Sequence, residues 1–239
     1  MRQATFKRFY TSATADAAPP GTASHRVLLD GRPVKTPAKA VLTLPNPAAA
    51  EAVAREWSEQ GEEVDLRAMP LTALACTAID LVGPQRARIV DEVAAYAEHD
   101  LVCYRAEGPA ELAARQQAIW QPLLDWAALI LDAPLAVTQG VVSVPQPPAA
   151  VAALRRGVEA RDDMALAALS CATSAAGSLI IALALAHGRI DAEEACAAAL
   201  LDELYQAERW GEDPEAARRR TAIRADLDAA SRFMALLES

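Results

Sequence analysis

Positive charge is scarce in this sequence. Its 239 residues include 23 Lys and Arg against 32 Asp and Glu, which gives a formal net charge of -9 and an isoelectric point near 4.9. Proteins that bind nucleic acid or anionic membranes use basic surfaces to neutralise phosphates. The charge balance therefore argues against both kinds of partner and favours protein or small-molecule partners.

Cysteine is also sparse and is not arranged in pairs. The spacing contains no CxxC motif, and each cysteine lies within an apolar, helix-like pattern. The four are Cys76, Cys103, Cys171 and Cys196. Without a secretory signal, such cysteines are expected to be reduced, buried thiols and not a disulfide framework.

The motifs of several enzyme classes are missing. The chain has no GxGxxG or Walker-type loop to hold a nucleotide phosphate and no GxSxG nucleophile turn. His99 and Cys103 have the i,i+4 spacing of two metal ligands on a helix, but further ligands are not nearby, so a packed or hydrogen-bonded pair is favoured. Adjacent Asp202 and Glu203 point about 100° apart on a helix and form no carboxylate dyad. An enzyme is therefore the less favoured class.

Two segments bear on cellular location. The first residues, MRQATFKRFYTSATA, resemble a transit peptide in composition, although a strand starting near Phe6 explains them equally well. Residues 164–188 carry no Asp, Glu, Lys or Arg over more than the roughly 20 residues that span a bilayer. Alanines and hydroxyl side chains dilute the apolar character of this run. We interpret it as a central buried helix and not as a membrane span.

Strand and turn signals are concentrated before residue 84. The segment HRVLLDGRPVKTP predicts a β-hairpin that turns at Asp30 and Gly31, with a second strand running toward KAVLTLP. Asn46 and Pro47 supply the N-cap and first residue of a helix, and MPLTALACTAIDLVG predicts a second, apolar helix. Residues 1–84 are therefore predicted to form a small N-terminal α+β domain.

After Pro84 the pattern is helical almost throughout. Gly188 and Gly211 provide helix stops, and Asp213 with Pro214 predicts the start of the last helix. Residues 85–239 are predicted to form a larger all-α domain, so the predicted fold class is α+β. The candidate helices are about 85–104, 109–131, 148–160, 162–187, 191–210 and 213–237.

One carboxylate, that of Glu203, falls where the helical pattern asks for an apolar residue. At about 100° per residue on a continuous helix, it lies near the middle of an apolar face. That face consists of Ala192, Cys196, Ala199, Leu200, Ala207 and Trp210. Burial of an unpaired carboxylate costs on the order of several kcal/mol, so Glu203 requires a basic partner, an elevated pKa or a reason for exposure.

Arginines of the last helix could reach Glu203 if the last two helices pack antiparallel. These arginines are Arg218, Arg219, Arg220 and Arg224. The structural hypothesis is therefore an ion pair between Glu203 and one of them, and the alternative is a functional role for the carboxylate.

Six short segments follow one another in a distinctive order and spacing. They are KRFY (7–10), LDGRPVKTP (29–37), EW (56–57), MPLTALACTAID (69–80), DLVCYRA (100–106) and ELYQAERWGED (203–213). Each is moderately specific, whereas the combination of a DGRPVKTP hairpin with a later YQ-x3-WG helix is highly specific. Over nearly its whole length the chain resembles the ATP-twelve family, assembly chaperones for the α subunit of the catalytic head of F-type ATP synthase.

The resemblance implies a two-domain α+β protein that binds the free α subunit, shields its β-facing interface and assists assembly, without a cofactor, a metal or a reaction of its own. It places functional weight on an acid of the YQ/WG region, for which Glu203 is the best match. The partner-binding candidates are Glu203, Asp202, Tyr205, Gln206 and Trp210. Because KRFY belongs to the family's mature domain, the resemblance also implies a bacterial, cytoplasmic protein. A monomeric state of the free protein is a separate expectation. Eukaryotic relatives act in the mitochondrial matrix.

On this hypothesis Glu203 is partly exposed in a groove and acts as a charge partner for α. Trp210 is a candidate aromatic anchor, although a core position is the favoured interpretation for it, as for Trp57, Trp120 and Trp126. Two alternatives are left open. One is a small-molecule enzyme that uses Glu203 as an acid or base in an apolar cleft, and the other is a generic helical adaptor with a broad apolar docking surface.

Overall fold

The computed structural model describes residues 5–18 and 24–238, which divide into two compact units. The first unit comprises the described residues of Met1–Arg86, Asp163–Ala168 and Arg232–Ser239, and the second comprises Ala87–Asp162 and Leu169–Ser231. The predicted fold class is confirmed, since a small N-terminal region with strands precedes a mostly helical remainder. The first four residues of the segment that resembles a transit peptide lie outside the described residues.

Short antiparallel strands and two helices make up the N-terminal part of the first unit. They are β1 (Thr5–Lys7), β2 (Ala13–Ala17), β3 (His25–Leu29), β4 (Arg32–Pro33), β5 (Thr43–Leu44), α1 (Pro47–Ser58), β6 (Glu63–Asp65) and α2 (Pro70–Thr77). Strand β3 pairs with β2, β4 and β5, and β1 pairs with β6. Helix α1 lies against β2 and β3 and buries Val53 and Trp57 there.

The predicted hairpin is confirmed. Leu29 pairs with Arg32, so Asp30 and Gly31 form a two-residue turn. Their φ angles of 47° and 78° are those of a type I′ turn, which glycine adopts without steric cost. The Asp30 carboxylate accepts hydrogen bonds from the backbone N–H and hydroxyl groups of residues 11 and 12. These bonds, led by that of the Ser12 N–H, lower the pKa of Asp30 to about 2.

Helices α1 and α2 each begin at a side-chain acceptor. The Asn46 Oδ1 atom accepts from the Ala49 N–H at 2.8 Å, so the predicted cap of α1 is confirmed. The N-terminus of α2 is capped instead by Glu56, which reaches across from α1. Its buried carboxylate accepts from the N–H groups of Leu71 and Thr72, both at 2.8 Å, and from the Thr72 hydroxyl at 2.7 Å. Glu56 therefore supplies the acceptors that the first turn of α2 requires.

The rest of the chain is mainly helical. Its elements are α3 (Arg86–Ala94), β7 (Tyr104–Arg105), α4 (Ala110–Ile130), β8 (Thr138–Gln139), α5 (Pro148–Glu159), α6 (Asp163–Ala176), α7 (Leu179–Ala186), α8 (Ala192–Ala199), α9 (Leu201–Trp210) and α10 (Pro214–Leu237). Strands β7 and β8 pair in parallel. Helix α10 begins as predicted, because the Asp213 carboxylate accepts from the Ala216 N–H at 2.8 Å.

Three of the predicted helices are interrupted. The first, 85–104, passes from α3 into 3₁₀ turns after Ala94. The second, 162–187, breaks at Gly177, whose φ is 65°, and restarts as α7 with Ser178 as N-cap. The third, 191–210, breaks at Leu200, which has φ −103° and ψ 12°. The continuous central helix predicted over 164–188 is therefore wrong, although all of Leu179–Leu185 is buried.

A buried carboxylate secures the break between α6 and α7. Asp100 accepts from the Ser178 hydroxyl at 2.5 Å and from the Ile180 N–H at 3.0 Å. Its full burial raises its pKa to about 6, although these hydrogen bonds favour the charged form. Among the described residues, no helix combines the length and the apolarity needed to cross a bilayer.

The four cysteines are free thiols, as predicted. Cys103 and Cys196 are buried, whereas Cys76 and Cys171 are half-buried. Burial raises the pKa of Cys76 and of Cys171 to about 11 and that of Cys103 to about 12.

Candidate functional site

The candidate partner-binding residues all lie on α9, a helix bounded by the break at Leu200 and by Gly211. Gly211 has φ 88° and ends the helix directly after Trp210. Because α8 and α9 are separate helices, the apolar face drawn along a continuous 191–210 helix does not exist. The buried residues of α9 are instead Leu201 and Tyr205. The predicted position of Glu203 in the middle of an apolar face is therefore wrong.

Glu203 lies on the solvent side of α9 and forms an ion pair with Arg219 of α10. The Glu203 side chain is 31% exposed and that of Arg219 is 64% exposed. The predicted ion pair with an arginine of the last helix is thus present, in a setting that water reaches. Pairs of this kind contribute about 0–1 kcal/mol to stability. The pair therefore leaves the Glu203 carboxylate accessible to a partner.

Asp202 and Tyr205 make the contacts of α9 with α4. Asp202 accepts a hydrogen bond at 2.8 Å from the side-chain amide of Gln116, which is 1% exposed. The Gln116 carbonyl accepts in turn from the Ala106 N–H at 2.7 Å. The Asp202 contact therefore connects α9 to α4 and, through it, to the residue that follows β7.

Tyr205 is 1% exposed and lies between two guanidinium groups. Those of Arg115 and Arg209 lie 5.2 Å and 4.8 Å from its ring centroid. Glu111 accepts hydrogen bonds from both arginines, and Arg115 also donates to Glu208 at 2.7 Å. The Tyr205 hydroxyl is buried and has no hydrogen-bond partner among the described residues. Cation–π contacts thus fix the inner side of α9 against α4.

The outer side of α9 presents apolar groups to solvent. Trp210 is 74% exposed and Leu204 is 39% exposed, and Gln206 is also exposed. The expectation of a core position for Trp210 is wrong, because this tryptophan is the last residue of its helix. Trp57 and Trp120 are buried as predicted, whereas Trp126 is half-buried. Leu204, which sequence analysis missed, would have been found only by locating the break at Leu200.

The structure thus separates the five candidates into two groups. Glu203, Gln206 and Trp210 share the accessible side of α9, while Asp202 and Tyr205 hold its inner side. We call the accessible set, Glu203, Gln206 and Trp210, the α9 surface.

The alternative of an enzyme with Glu203 in a cleft finds little geometric support. Three cavities formed by the described residues have volumes of about 960, 710 and 410 Å³, and Glu203 lines none of them. The smallest includes Asp202 beside Gln116 and Arg105. In the described part of the chain, no group of three or more His, Cys, Asp or Glu side chains is arranged to hold a metal ion.

The proposed pair of His99 and Cys103 does not share a helix. His99 follows a 3₁₀ turn, is exposed and lies within hydrogen-bond distance of the Tyr104 and Ser143 hydroxyls, at 3.3 and 3.2 Å. Cys103 is fully buried. The i,i+4 argument therefore does not apply to these two residues.

Comparison with known proteins agrees with the motifs. Residues 7–128 match the family model described as ATP12 chaperone protein. The crystal structure of Atp12 from Paracoccus denitrificans is 42% identical in sequence, with a TM-score of 0.92 over 97% of this chain and 98% of that one. The Atu1473 protein from Agrobacterium tumefaciens is 41% identical, with a TM-score of 0.91 over 98% of this chain and 86% of that one.

Proposed function

Because this chain belongs to the ATP12 chaperone family, we propose that it binds the free α subunit of an F-type ATP synthase. It shields the surface of α that later faces the β subunit, and so assists assembly of the catalytic head. Newly made subunits expose apolar interfaces that promote aggregation until their partner arrives. A chaperone that covers such an interface lowers the concentration of the exposed form by mass action and needs no ATP turnover.

The observation that carries this proposal is the α9 surface. A tryptophan that is 74% exposed, on the same side of its helix as the Glu203 carboxylate, is unusual on a monomer's surface and typical of an interface anchor. Trp210 supplies the apolar contact with α, and Glu203 supplies a charge that raises encounter rate and specificity. Asp202 and Tyr205 act as positioning residues, because their contacts fix α9 against α4, with Tyr205 buried and Asp202 half-buried.

The proposal extends to the surroundings in which the protein acts. Both solved relatives come from bacteria, and we place this chain in the bacterial cytoplasm, where it meets α before α joins the membrane-bound enzyme. It acts as a monomer that binds one α subunit and catalyses no reaction.

Co-purification tests the proposal directly. The protein is mixed with α alone, β alone or both, at about 0.15 M salt, where the Debye length is about 8 Å and weak exposed charge contacts are screened. We expect retention of α that is lost when β is added. Failure to retain α under conditions in which α otherwise aggregates would reject the proposal, and retention of unrelated unfolded proteins would favour the generic adaptor.

A pair of matched variants assigns the contact to the α9 surface. Trp210→Ser is expected to weaken α binding about tenfold or more, as removal of an interface anchor does. Leu129→Ser is the control, because Leu129 is 82% exposed on α4, outside the α9 surface. Equal loss of binding in both variants would show that general surface hydrophobicity, and not Trp210, holds α.

A further inference from the structure

The largest of the three cavities, about 960 Å³, lies in the first unit, and the α9 surface does not line it. It is walled by residues of β1, the hairpin β3–β4, α1 and α2. Its volume falls within the range of pockets that hold ligands, and its lining is predominantly apolar. We call it the hairpin cavity.

Aromatic side chains are concentrated in the wall of the hairpin cavity. The whole sequence contains three Phe, four Tyr and four Trp, eleven in all, and four of these line this one cavity. Phe6, Phe9, Tyr10 and Trp57 contact one another in sequence, with ring centroids 6.0, 5.5 and 5.8 Å apart. A continuous aromatic wall of this kind favours a large apolar side chain as its occupant.

One buried donor in the wall lacks an acceptor. Trp57 is 6% exposed, and its Nε1 atom is buried without a hydrogen-bond partner among the described residues. The neighbouring polar groups are satisfied, since the Tyr10 hydroxyl donates to the Trp57 carbonyl at 2.6 Å and the Thr72 hydroxyl donates to Glu56. Because the Nε1 atom has almost no accessible surface, an occupant of the cavity contacts the Trp57 ring and changes the surroundings of this N–H without accepting its proton.

The mouth of the cavity is cationic, although the protein as a whole carries a net charge of -9. Arg32 and Lys35 line it, are exposed and form no ion pair with a described residue. Asp30 also lies at the mouth, but residues 11 and 12 occupy its carboxylate with hydrogen bonds. An occupant with a carboxylate near its apolar group therefore complements the mouth.

The exposed side chains at the rim of the cavity favour a polypeptide over a small molecule as its occupant. Phe9 is 71% exposed and Leu66 is 42% exposed, and both line the cavity. A small ligand inside the cavity would leave these side chains in water, whereas an extended chain crossing the mouth would cover them. We propose that the hairpin cavity binds an extended segment of the client polypeptide in which a bulky apolar side chain lies beside an acidic residue.

This inference rests on the proposed function, because the client is the α subunit, but its first test uses the chaperone alone. The ¹⁵N-labelled protein is titrated with acetyl-Leu-Phe-Glu-Leu-amide and, separately, with the same peptide carrying Lys in place of Glu. The readout is the indole N–H signal of Trp57, identified among four indole signals by the variant Trp57→Phe. We expect the acidic peptide to shift this signal saturably, with the basic peptide requiring at least tenfold higher concentrations.

Two kinds of variant test the cavity: one fills it, and the other removes the positive charges at its mouth. Ala73→Phe places a ring in the cavity from an exposed position on α2, and we expect it to abolish the peptide response. Arg32→Gln with Lys35→Gln should weaken peptide binding five- to tenfold. Lys7→Gln with Arg55→Gln removes the same charge from exposed positions that do not line the cavity, and should leave binding unchanged. Because the charge variants alter only exposed side chains, they keep the test valid if Ala73→Phe does not fold.

The outcomes separate this inference from the proposed function. Dodecanoate, a small apolar carboxylate, is titrated as the non-peptide control. Equal responses to both peptides, or a response to dodecanoate without one to either peptide, would overturn the peptide site. Retention of α by Ala73→Phe at the wild-type level would show that the cavity does not hold the client, while the chaperone function stands. If the wild-type protein retains no α, the proposed function fails, and the inference fails with it whatever the peptide titration shows.

Discussion

At the residue scale, the carboxylate of Glu203 forms an ion pair with a solvent-exposed guanidinium, that of Arg219. The pair with Arg219 explains why the chain tolerates a charge on α9, but its exposure means that it contributes little to stability. Accessible charge of this kind acts mainly on association with a partner. The residue is therefore best tested by measuring binding and stability together.

Glu203→Gln should weaken α binding several-fold while changing the free energy of unfolding by no more than about 1 kcal/mol. The amide keeps the shape of the side chain and removes the charge offered to α. Binding is measured by titration with fluorescently labelled α, and stability by urea unfolding. The control is Glu92→Gln, which breaks another exposed pair, with Arg88 on α3. A large loss of stability with normal α binding would assign Glu203 a purely structural role.

Asp100 gives stability a dependence on pH. Burial raises its pKa in the folded state to about 6, above the unfolded value of about 3.9. Between these values the folded protein binds more protons than the unfolded chain, so this group lowers stability as pH rises from about 4 to 6. Asp100→Asn should remove that decline, which amounts to at most about 1.4 kcal/mol per pH unit. Urea unfolding at four pH values from 4 to 7 measures the slope, and an unchanged slope would contradict the assignment.

At the scale of secondary-structure elements, caps connect neighbouring helices. Glu56 is the first residue of the EW segment and lies on α1. It provides the N-terminal acceptor for α2, which begins within the MPLTALACTAID segment. The two segments are separated in sequence but form one hydrogen-bonded unit. Substitution at Glu56 therefore acts on α2 as much as on α1.

Glu56→Ala should destabilise the protein by about 2–4 kcal/mol, because it leaves the buried N–H groups of Leu71 and Thr72 without acceptors. Glu51→Ala on the same helix is the control. Glu51 is exposed, and we expect a change within about 0.5 kcal/mol. Thermal and urea unfolding measure both variants, and similar effects from the two would contradict the capping role of Glu56.

The elements that could be predicted from sequence are those that begin or turn at residues with a strong local preference for that conformation. Asp30 with Gly31, Asn46 with Pro47 and Asp213 with Pro214 each fix a turn or a helix start locally. The break at Leu200 has no glycine or proline. Because Leu200 lies within an apolar run, the sequence gives no signal that the helix ends there. Gly177 did mark a break, but the long uncharged run around it favoured a single helix.

The candidate site was therefore predicted only in part. The motif located α9 and its acid, and the ion pair with the last helix followed from helix packing. The exposure of Trp210 could not be obtained, because it depends on where α9 begins and ends. The hairpin cavity was missed altogether, since its lining comes from residues between 6 and 77 that meet only in the folded unit.

At the scale of the whole molecule, stability comes from burial and hydrogen bonding without covalent cross-links. The four cysteines are free, and burial raises the pKa of each thiol. A thiol reacts through its thiolate, so the native protein should react slowly with thiol reagents.

Ellman's reagent at pH 8 should titrate four thiols in the unfolded protein and proceed much more slowly in the native protein. The melting temperature should be the same with and without dithiothreitol, because no disulfide supports the fold. The guanidine-unfolded protein serves as the control for full reactivity. A fall in melting temperature on reduction, or rapid reaction of the native thiols, would contradict this account.

Helix α9 is a separate element between Leu200 and Gly211, so its exposed side can vary independently of the neighbouring helices. Since α9 is a separate helix after Leu200, its exposed side chains can be changed without altering α8 before it or the Asp213 cap after it. The positions that hold α9 in place need to be retained, because Leu201 and Tyr205 are buried, Asp202 bonds to Gln116 and Arg209 bonds to Glu111. If the α9 surface binds the client as proposed, substitutions confined to Glu203, Gln206 and Trp210 should change client preference on an unchanged scaffold.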